Sequence, residues 1–369
     1  MIYKNATVLN ADFRFVRTDL TVENGVIAAV GQTDAPGRDL GGDYVIPGLV
    51  DIHTHGAMGS DHLDGTPQAT AAIRSFMAEH GTTSLLATIM TQSKETMVRA
   101  AANVAACAGQ GTGAHIRGIY AEGPFFSEAY RGAQHPQYLC DPDPALVLQL
   151  QEASGGRVRI LSLAPERAGA VELIRQFPKI RFFIGHTDAD YAQAKTAIAA
   201  GACGLTHTFN GMRGLHHRSP NALGAALESD GVYCECICDG FHVHPAVVGL
   251  LYRLVGRERF VVISDSLRPA GLPDGEYTSG GQPITVREGH AFLHDGTIAG
   301  SSTCLLEEVR NLVRWGVMPL EDAVYAASAV PAKAAGLFDR IGSIAPGKAA
   351  DLLILSPELA LKETLIGAE

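Results

Sequence analysis

Apolar positions change their spacing twice along the chain. From Met1 to about Gly42 they alternate with polar ones over residues 4–9, 13–16, 20–23 and 26–30, interrupted at Asn10-Ala11-Asp12 and Asn24-Gly25. A period of two with an Asn-Gly turn predicts short antiparallel strands. From residue 45 onward the strands read apolar on both faces, at 45–52, 83–89, 115–121, 158–163, 180–185, 203–206, 232–238 and 260–264. Alanine-rich stretches of helical character lie between them, at 67–79, 94–107, 188–200, 245–255 and 302–315. Strands buried on both faces and alternating with helices predict a parallel sheet, and eight such units predict a closed (β/α)8 TIM-like barrel over residues 45–337. An open doubly wound sheet is the rival, but no Gly-x-Gly-x-x-Gly turn follows the first run. After Gly342-Ser343-Ile344-Ala345-Pro346-Gly347-Lys348 the alternating character returns in an apolar strand at 351–355. Neither end could stabilise so few strands alone, so residues 1–44 and 338–369 are expected to form one small β-sandwich domain.

Composition narrows the function classes. A chain of 369 residues buries about three quarters of its unfolded surface. The net charge of −10, with no basic run longer than two residues, argues against nucleic acid or an anionic membrane as partner, so an anionic ligand must be held by a local cluster. Seven scattered cysteines, an odd number in a chain too large to need staples, indicate reduced thiols and a cytoplasmic protein. No leader-like segment or membrane-length apolar stretch is present.

Placement of the polar residues is the informative feature. His53 and His55 close the first apolar run, and residues two apart on a strand face the same side, which is the geometry of a metal clamp. Glu122, His186, His207 and Asp265 follow the third, fifth, sixth and eighth runs. Each has an ordinary reading: two packed histidines, a turn carboxylate in Ala121-Glu122-Gly123-Pro124, a cap at His186 or Asp265. Six such residues at the C-terminal strand ends, where barrel enzymes build their sites, instead point to a divalent metal held by nitrogen and oxygen ligands.

The stretch from Ile46 through Pro47-Gly48-Leu49-Val50-Asp51-Ile52-His53-Thr54-His55 to Gly56 resembles the first-strand signature of the amidohydrolase superfamily. Ala121-Glu122-Gly123-Pro124-Phe125, Gly185-His186-Thr187-Asp188-Ala189 and Thr206-His207-Thr208-Phe209-Asn210-Gly211-Met212 narrow the likeness. So do Leu215-His216-His217-Arg218, Asp239-Gly240-Phe241-His242-Val243-His244-Pro245 and the segment Pro269 to Tyr277. Together they resemble the N-acetylglucosamine-6-phosphate deacetylase family over nearly the whole chain.

That resemblance implies metal-dependent release of acetate from an N-acetylhexosamine 6-phosphate. Glu122, His186 and His207 would hold one ion, His53 and His55 a second bridged through Glu122, with zinc expected first and iron, manganese or cobalt as alternatives. Asp265 would serve as base and then acid. Asn210 and Gly211 would contact the sugar, Arg218 and His242 the phosphate, and Ile298, Ala299 and Gly300 the acetyl end. Ala133, Gln134 and Asp239 complete the expected substrate contacts. In relatives the arginine reaches across a dimer, so a homodimer is implied.

Two departures stand out. Gln134 occupies the place of a family histidine, unless a one-residue shift brings in His135, and Asn221 stands where glycine is common. Both leave N-acetylgalactosamine 6-phosphate as a competing substrate. A cyclic-amide hydrolase is a further alternative, disfavoured because residues 158–163 contain no lysine to bridge two metals. An inactive sugar-phosphate sensor is the alternative outside enzymes. Cys234, Cys236 and Cys238 read as buried strand thiols rather than ligands, because alternate strand positions lie about 7 Å apart. His216 and His217 read as loop or interface residues, and Trp315 as a helix core residue.

Overall fold

The computed structural model describes residues 1–368. Eight parallel strands pair in chain order: Leu49–Thr54, Thr82–Met90, His115–Glu122, Val158–Leu163, Arg181–Ile184, Ala202–Leu205, Tyr233–Cys236 and Phe260–Val262. Eighth meets first where the Asp265 N–H donates to the His53 carbonyl at 2.9 Å and the Ser264 hydroxyl to the Asp51 carboxylate at 2.5 Å. The expected barrel is therefore present. Its strands are apolar on both faces because side chains fill the interior while helices cover the outside; every residue of Thr82–Met90 is buried.

The run 45–52 is shared between two sheets. Tyr44–Pro47 belongs to the terminal sheet and Leu49–Thr54 to the barrel. Pro47 has no N–H to continue a ladder. At Gly48 the chain passes so close to the next strand that a Cβ would lie 2.2 Å from the Thr83 hydroxyl. The chain ends do combine: Leu352–Leu355 runs antiparallel to Tyr44–Pro47 in a seven-stranded sheet that also holds Ile2–Leu9, Phe15–Glu23 and Val26–Val30. Tyr3, Val8, Leu20, Ile27, Leu352 and Ile354 form part of its own core.

Helices Pro67–Glu79, Lys94–Cys107 and Pro245–Val255 have the expected bounds, because each starts at a capping side chain, Thr66, Ser93 and His244. The stretch 188–200 is helical only from Tyr191, since Asp190 and Gln193 form a capping box there. Five further helices between Pro144 and Ala334, of six to ten residues, lack a periodic run long enough to read. An unanticipated three-stranded antiparallel sheet, Gly275–Ser279, Gln282–Arg287 and His290–Leu293, follows the last barrel strand. Its period-two burial and its turns at Gly280-Gly281 and Glu288-Gly289 were signals in the sequence. It leans on the C-terminal end of the barrel strands, where Gln282 donates to the Ala133 carbonyl at 2.7 Å.

Candidate metal centre and active site

All six strand-end residues converge. His53, His55 and Asp265 form one group of potential ligands, and Glu122, His186 and His207 a second, with the ligand atoms of each group within 4.8 Å of one another. Glu122 joins the two: its Oε1 lies 3.2 Å from Nε2 of both His186 and His207 and 3.5 Å from Nε2 of His53, and its Oε2 lies 3.4 Å from His55. Asp265 Oδ1 is 3.1 Å from His55 and 3.5 Å from His53. Three of these residues, His186, His207 and Asp265, sit at positive φ of 45°, 28° and 47°. Non-glycine residues adopt such angles at a cost, and here they turn each side chain from the strand end over the barrel mouth.

The ring environments show what the site is built to receive. The His186 Nδ1–H donates to the Tyr130 carbonyl at 3.0 Å, the His207 Nδ1–H to the Asn210 carbonyl at 3.2 Å, and the His53 Nδ1–H to Glu235 at 3.1 Å. A carbonyl only accepts, so Nδ1 of the first two rings must carry a proton, and a neutral ring then presents a bare Nε2 lone pair. Those two Nε2 atoms face each other at 3.0 Å beside a carboxylate oxygen, and His53 Nε2 is buried without a hydrogen-bond partner. Lone pairs so convergent repel unless a cation lies among them. The acids report the same demand: burial works against the charged form of His53, yet Asp265, Glu235 and Glu122 hold its pKa well above the ordinary histidine value. Burial likewise opposes ionisation of Glu122, but His186, His207 and His53 keep it well below the usual carboxylate range. This donor set of imidazole nitrogens and carboxylates fits a divalent ion.

Glu235 is the functional residue that sequence reasoning missed. It is fully buried, its Oε2 accepts from His53 and, at 3.1 Å, from the His207 backbone N–H, so one carboxylate braces both ligand groups. The signal was a lone acid between Cys234 and Cys236 on an apolar strand, pointing to the opposite face. The cysteines themselves are free and buried, and burial raises the Cys234 thiol to about 12, as expected of packing thiols. Glu235→Gln should weaken metal affinity about tenfold to a hundredfold, because the oxygen acceptor survives and the charge behind His53 does not; a metal titration checks it.

Above the acids and histidines opens a cavity of about 350 Å³. Ala133, Gln134, Asn210, Gly211, His242, Ile298, Ala299 and Gly300 all line it with the ligands, while His53 lies fully buried behind them. Gly211 and Gly300 are needed for close approach: a Cβ at Gly211 would sit 2.8 Å from His186 Nδ1, and one at Gly300 2.5 Å from the Asp265 carbonyl. Gln134, not His135, faces the cavity, with its Oε1 accepting from the Thr91 N–H at 3.0 Å and its Nε2 donating to Glu122 at 2.6 Å. His135 instead caps the short helix Pro136–Tyr138. The Asn221 departure is conformational: its φ is +55°, which glycine takes freely and asparagine tolerates, and its side chain donates to the Gly214 carbonyl at 2.8 Å.

Two expected substrate contacts lie elsewhere. Arg218 is exposed outside the cavity, with its guanidinium 2.6 Å from the His217 ring in the exposed loop that also carries His216. Asp239 also does not line the cavity; it is 2.7 Å from His242 Nδ1, while His242 Nε2 meets the Ala299 carbonyl at 2.8 Å. Burial disfavours charge on His242, but Asp239 raises its pKa above the ordinary value. Asp239 thus orients His242 as a cation instead of touching a ligand in this cavity. Trp315 caps the helix Leu305–Arg314 and packs partly buried against the barrel core.

The amidohydrolase family matches residues 44–367. The chain is 37% identical to an N-acetylglucosamine-6-phosphate deacetylase of Vibrio furnissii, over 93% of this chain and 88% of that protein. It is 36% identical to an N-acetylgalactosamine-6-phosphate deacetylase of Escherichia coli O157:H7, over 94% and 93%. A solved N-acetyl-D-glucosamine-6-phosphate deacetylase of Mycobacterium smegmatis, in complex with N-acetyl-D-glucosamine-6-phosphate, superposes with a TM-score of 0.93 at 34% identity, covering 99% of this chain and 97% of that one.

Proposed function

The chain belongs to the amidohydrolase family, and from that membership we propose that it hydrolyses the acetamide of an N-acetylhexosamine 6-phosphate, N-acetyl-D-glucosamine 6-phosphate first, to acetate and the amino sugar phosphate. The observation that carries the reading is the joined pair of ligand groups with Asp265 at the floor of a cavity of about 350 Å³. Its relatives divide between two hexosamine epimers, so N-acetyl-D-galactosamine 6-phosphate is the second substrate to test.

A divalent ion held by Glu122, His186 and His207 would supply Lewis acidity and bring the pKa of water toward neutrality. Burial opposes ionisation of Asp265, but His53 and His55 hold it below the usual carboxylate range, so it is poised to accept a proton. It takes that proton from the attacking water and returns it to the amine nitrogen as the C–N bond breaks; the water's second proton leaves the acetic acid so formed and is taken up by the amine, so atoms and charge balance with acetate and the protonated amine as products. The second hydrogen of the Gln134 amide is a neutral donor for the developing oxyanion. His242, cationic and anchored by Asp239, supplies positive charge for a phosphate from within the cavity.

Retention of both His53 and His55 supports a site for two ions, zinc being the first candidate. Metal analysis should return more than one ion per chain, and His53→Ala should lower both that number and turnover. One ion per chain with His53→Ala fully active would refute the second site. Arg218, exposed and away from its own chain's cavity, supports a homodimer in which it completes the partner's phosphate site. Seven free cysteines support a reducing, cytoplasmic setting, and among the described residues no helix is long and apolar enough to cross a membrane.

Acetate release from a panel of N-acetylglucosamine, N-acetylgalactosamine and their 6-phosphates, with zinc, iron, manganese or cobalt, tests the function. Faster turnover of the phosphorylated sugars than of the free ones is expected; no acetate from any member would overturn the proposal. In the same panel Arg218→Ala should reduce kcat/KM for the phosphorylated sugar at least about tenfold more than for the free one, the worth of one charge-assisted contact. Equal losses would remove the phosphate role.

A further inference from the structure

Opposite the metal centre, three consecutive barrel strands open on arginine. Arg117 is the third residue of His115–Glu122, Arg159 the second of Val158–Leu163 and Arg181 the first of Arg181–Ile184. Arg157 precedes the second of these strands, and Arg340 arrives from the segment after the last helix. Two cavities open among them. One, of about 320 Å³, is lined by Arg117, Arg157, Arg159 and Arg340; its neighbour, of about 810 Å³, by Arg159, Arg181 and Lys179 together with Leu148, Phe177 and Ile180. Arg159 belongs to both.

Among the described residues, few carboxylates face this positive charge. Arg117 is matched by Asp351 at 3.5 Å, and Asp339 stands beside Arg340 on a third, smaller cavity. Among the described residues, Arg157, Arg159, Arg181 and Arg340 have no carboxylate partner. Their hydrogen bonds go to neutral groups: Arg159 Nε to the Arg117 carbonyl at 2.6 Å, Arg157 to the Ser154 carbonyl at 3.1 Å, Arg181 to the Cys203 thiol. Burial and then the positive neighbours Arg340, Arg117, Arg181 and Arg157 push the Arg159 guanidinium below its ordinary pKa. In a chain of net charge −10, guanidinia gathered in one concavity with no carboxylate partner among the described residues raise the local potential and favour an anion there.

We propose that the N-terminal mouth of this barrel binds a small molecule that joins a polyphosphate to an apolar or aromatic body, of the nucleoside di- or triphosphate class. Guanidinium forks match phosphate oxygens bidentately, and arginines spread over two adjoining cavities suit several phosphates better than one. The larger cavity exceeds what phosphates need, and its Leu148, Phe177 and Ile180 offer apolar wall for a base. Leu148 is 56% exposed, a large side chain left uncovered at that wall. A long nucleic acid is disfavoured because the basic residues occupy a concavity on an acidic molecule instead of a continuous stripe.

The test is calorimetric titration of the full-length, metal-loaded protein with the magnesium complex of ATP, and with adenosine, tripolyphosphate and heparin. ATP should saturate at one per chain and should not be displaced by N-acetylglucosamine 6-phosphate, whose site is at the other end of the barrel. Adenosine and tripolyphosphate should each bind at least about tenfold more weakly, a loss of about 1.4 kcal/mol. The double variant Arg157→Gln with Arg340→Gln changes two exposed side chains; it should weaken ATP at least about tenfold and leave thermal unfolding and deacetylase turnover unchanged. Absence of saturable ATP binding, displacement by the sugar phosphate, or unchanged affinity in the double variant would overturn the proposal. Tripolyphosphate binding as tightly as ATP would overturn the nucleoside class, and heparin outcompeting ATP without defined stoichiometry would mark a general polyanion surface instead.

Discussion

Asp265→Asn is expected to lower turnover by about 10³-fold or more, equivalent to about 4 kcal/mol of transition-state stabilisation, while the ion held by Glu122, His186 and His207 is retained. Two observations carry this. Asp265 is the carboxylate whose Oδ1 reaches both His53 and His55 and whose charge they stabilise, so it is ionised when substrate arrives. It also lines the cavity, where a proton can pass from water to the departing amine. Asparagine keeps the shape and an acceptor oxygen but can neither take nor deliver that proton. The Glu122, His186 and His207 group does not include Asp265, which is why the ion they hold should remain. Metal analysis beside single-turnover acetate release separates the two effects; activity within about tenfold of the parent would remove Asp265 from the proton-transfer role.

Glu122→Gln should abolish activity by a different route, through loss of metal. Glu122 is the one residue whose two oxygens approach both ligand groups, with Oε1 toward His186, His207 and His53, and Oε2 toward His55 and Gln134. Replacing an anionic oxygen by an amide lowers the charge offered to a divalent ion and puts N–H donors where lone pairs converged. The same donors can satisfy the imidazole Nε2 atoms, so the variant is expected to fold. Metal content should fall below about a tenth of the parent and kcat/KM by about 10³-fold or more. Circular dichroism confirms the fold, and mass spectrometry of metal content decides the outcome. A variant that keeps its full metal complement would show that His186 and His207 suffice without the carboxylate.

The barrel was legible because burial on both faces leaves an apolar run that no surface strand shows, and because helical stretches separate those runs at 67–79, 94–107 and 245–255. The rim was legible because barrel chemistry collects at C-terminal strand ends, and His53, His55, Glu122, His186, His207 and Asp265 all follow such ends in the sequence. Less visible were elements of low periodicity, such as the helices Ala170–Gln176 and Ala329–Ala334, and the split of residues 45–52 at Gly48, which depends on how near Thr83 comes. Arg218 and Asp239 show the limit in the site itself. Arg218 faces solvent outside its own chain's cavity, and the Asp239 carboxylate lies against His242, neither of which the residue type discloses.

Sequence alone thus determined the parts that depend on local pattern: the strand and helix alternation and the placement of six potential ligands at the C-terminal strand ends. Tertiary structure decided what depends on which segments meet. It chose Gln134 over His135 for the cavity, recruited Glu235 to brace His53 and His207, and gathered Arg157, Arg159, Arg181 and Arg340 from separate strands and loops into one basic mouth. No run of the sequence is basic enough to suggest that mouth, because the charges become neighbours only when adjacent strands pair and align their starts.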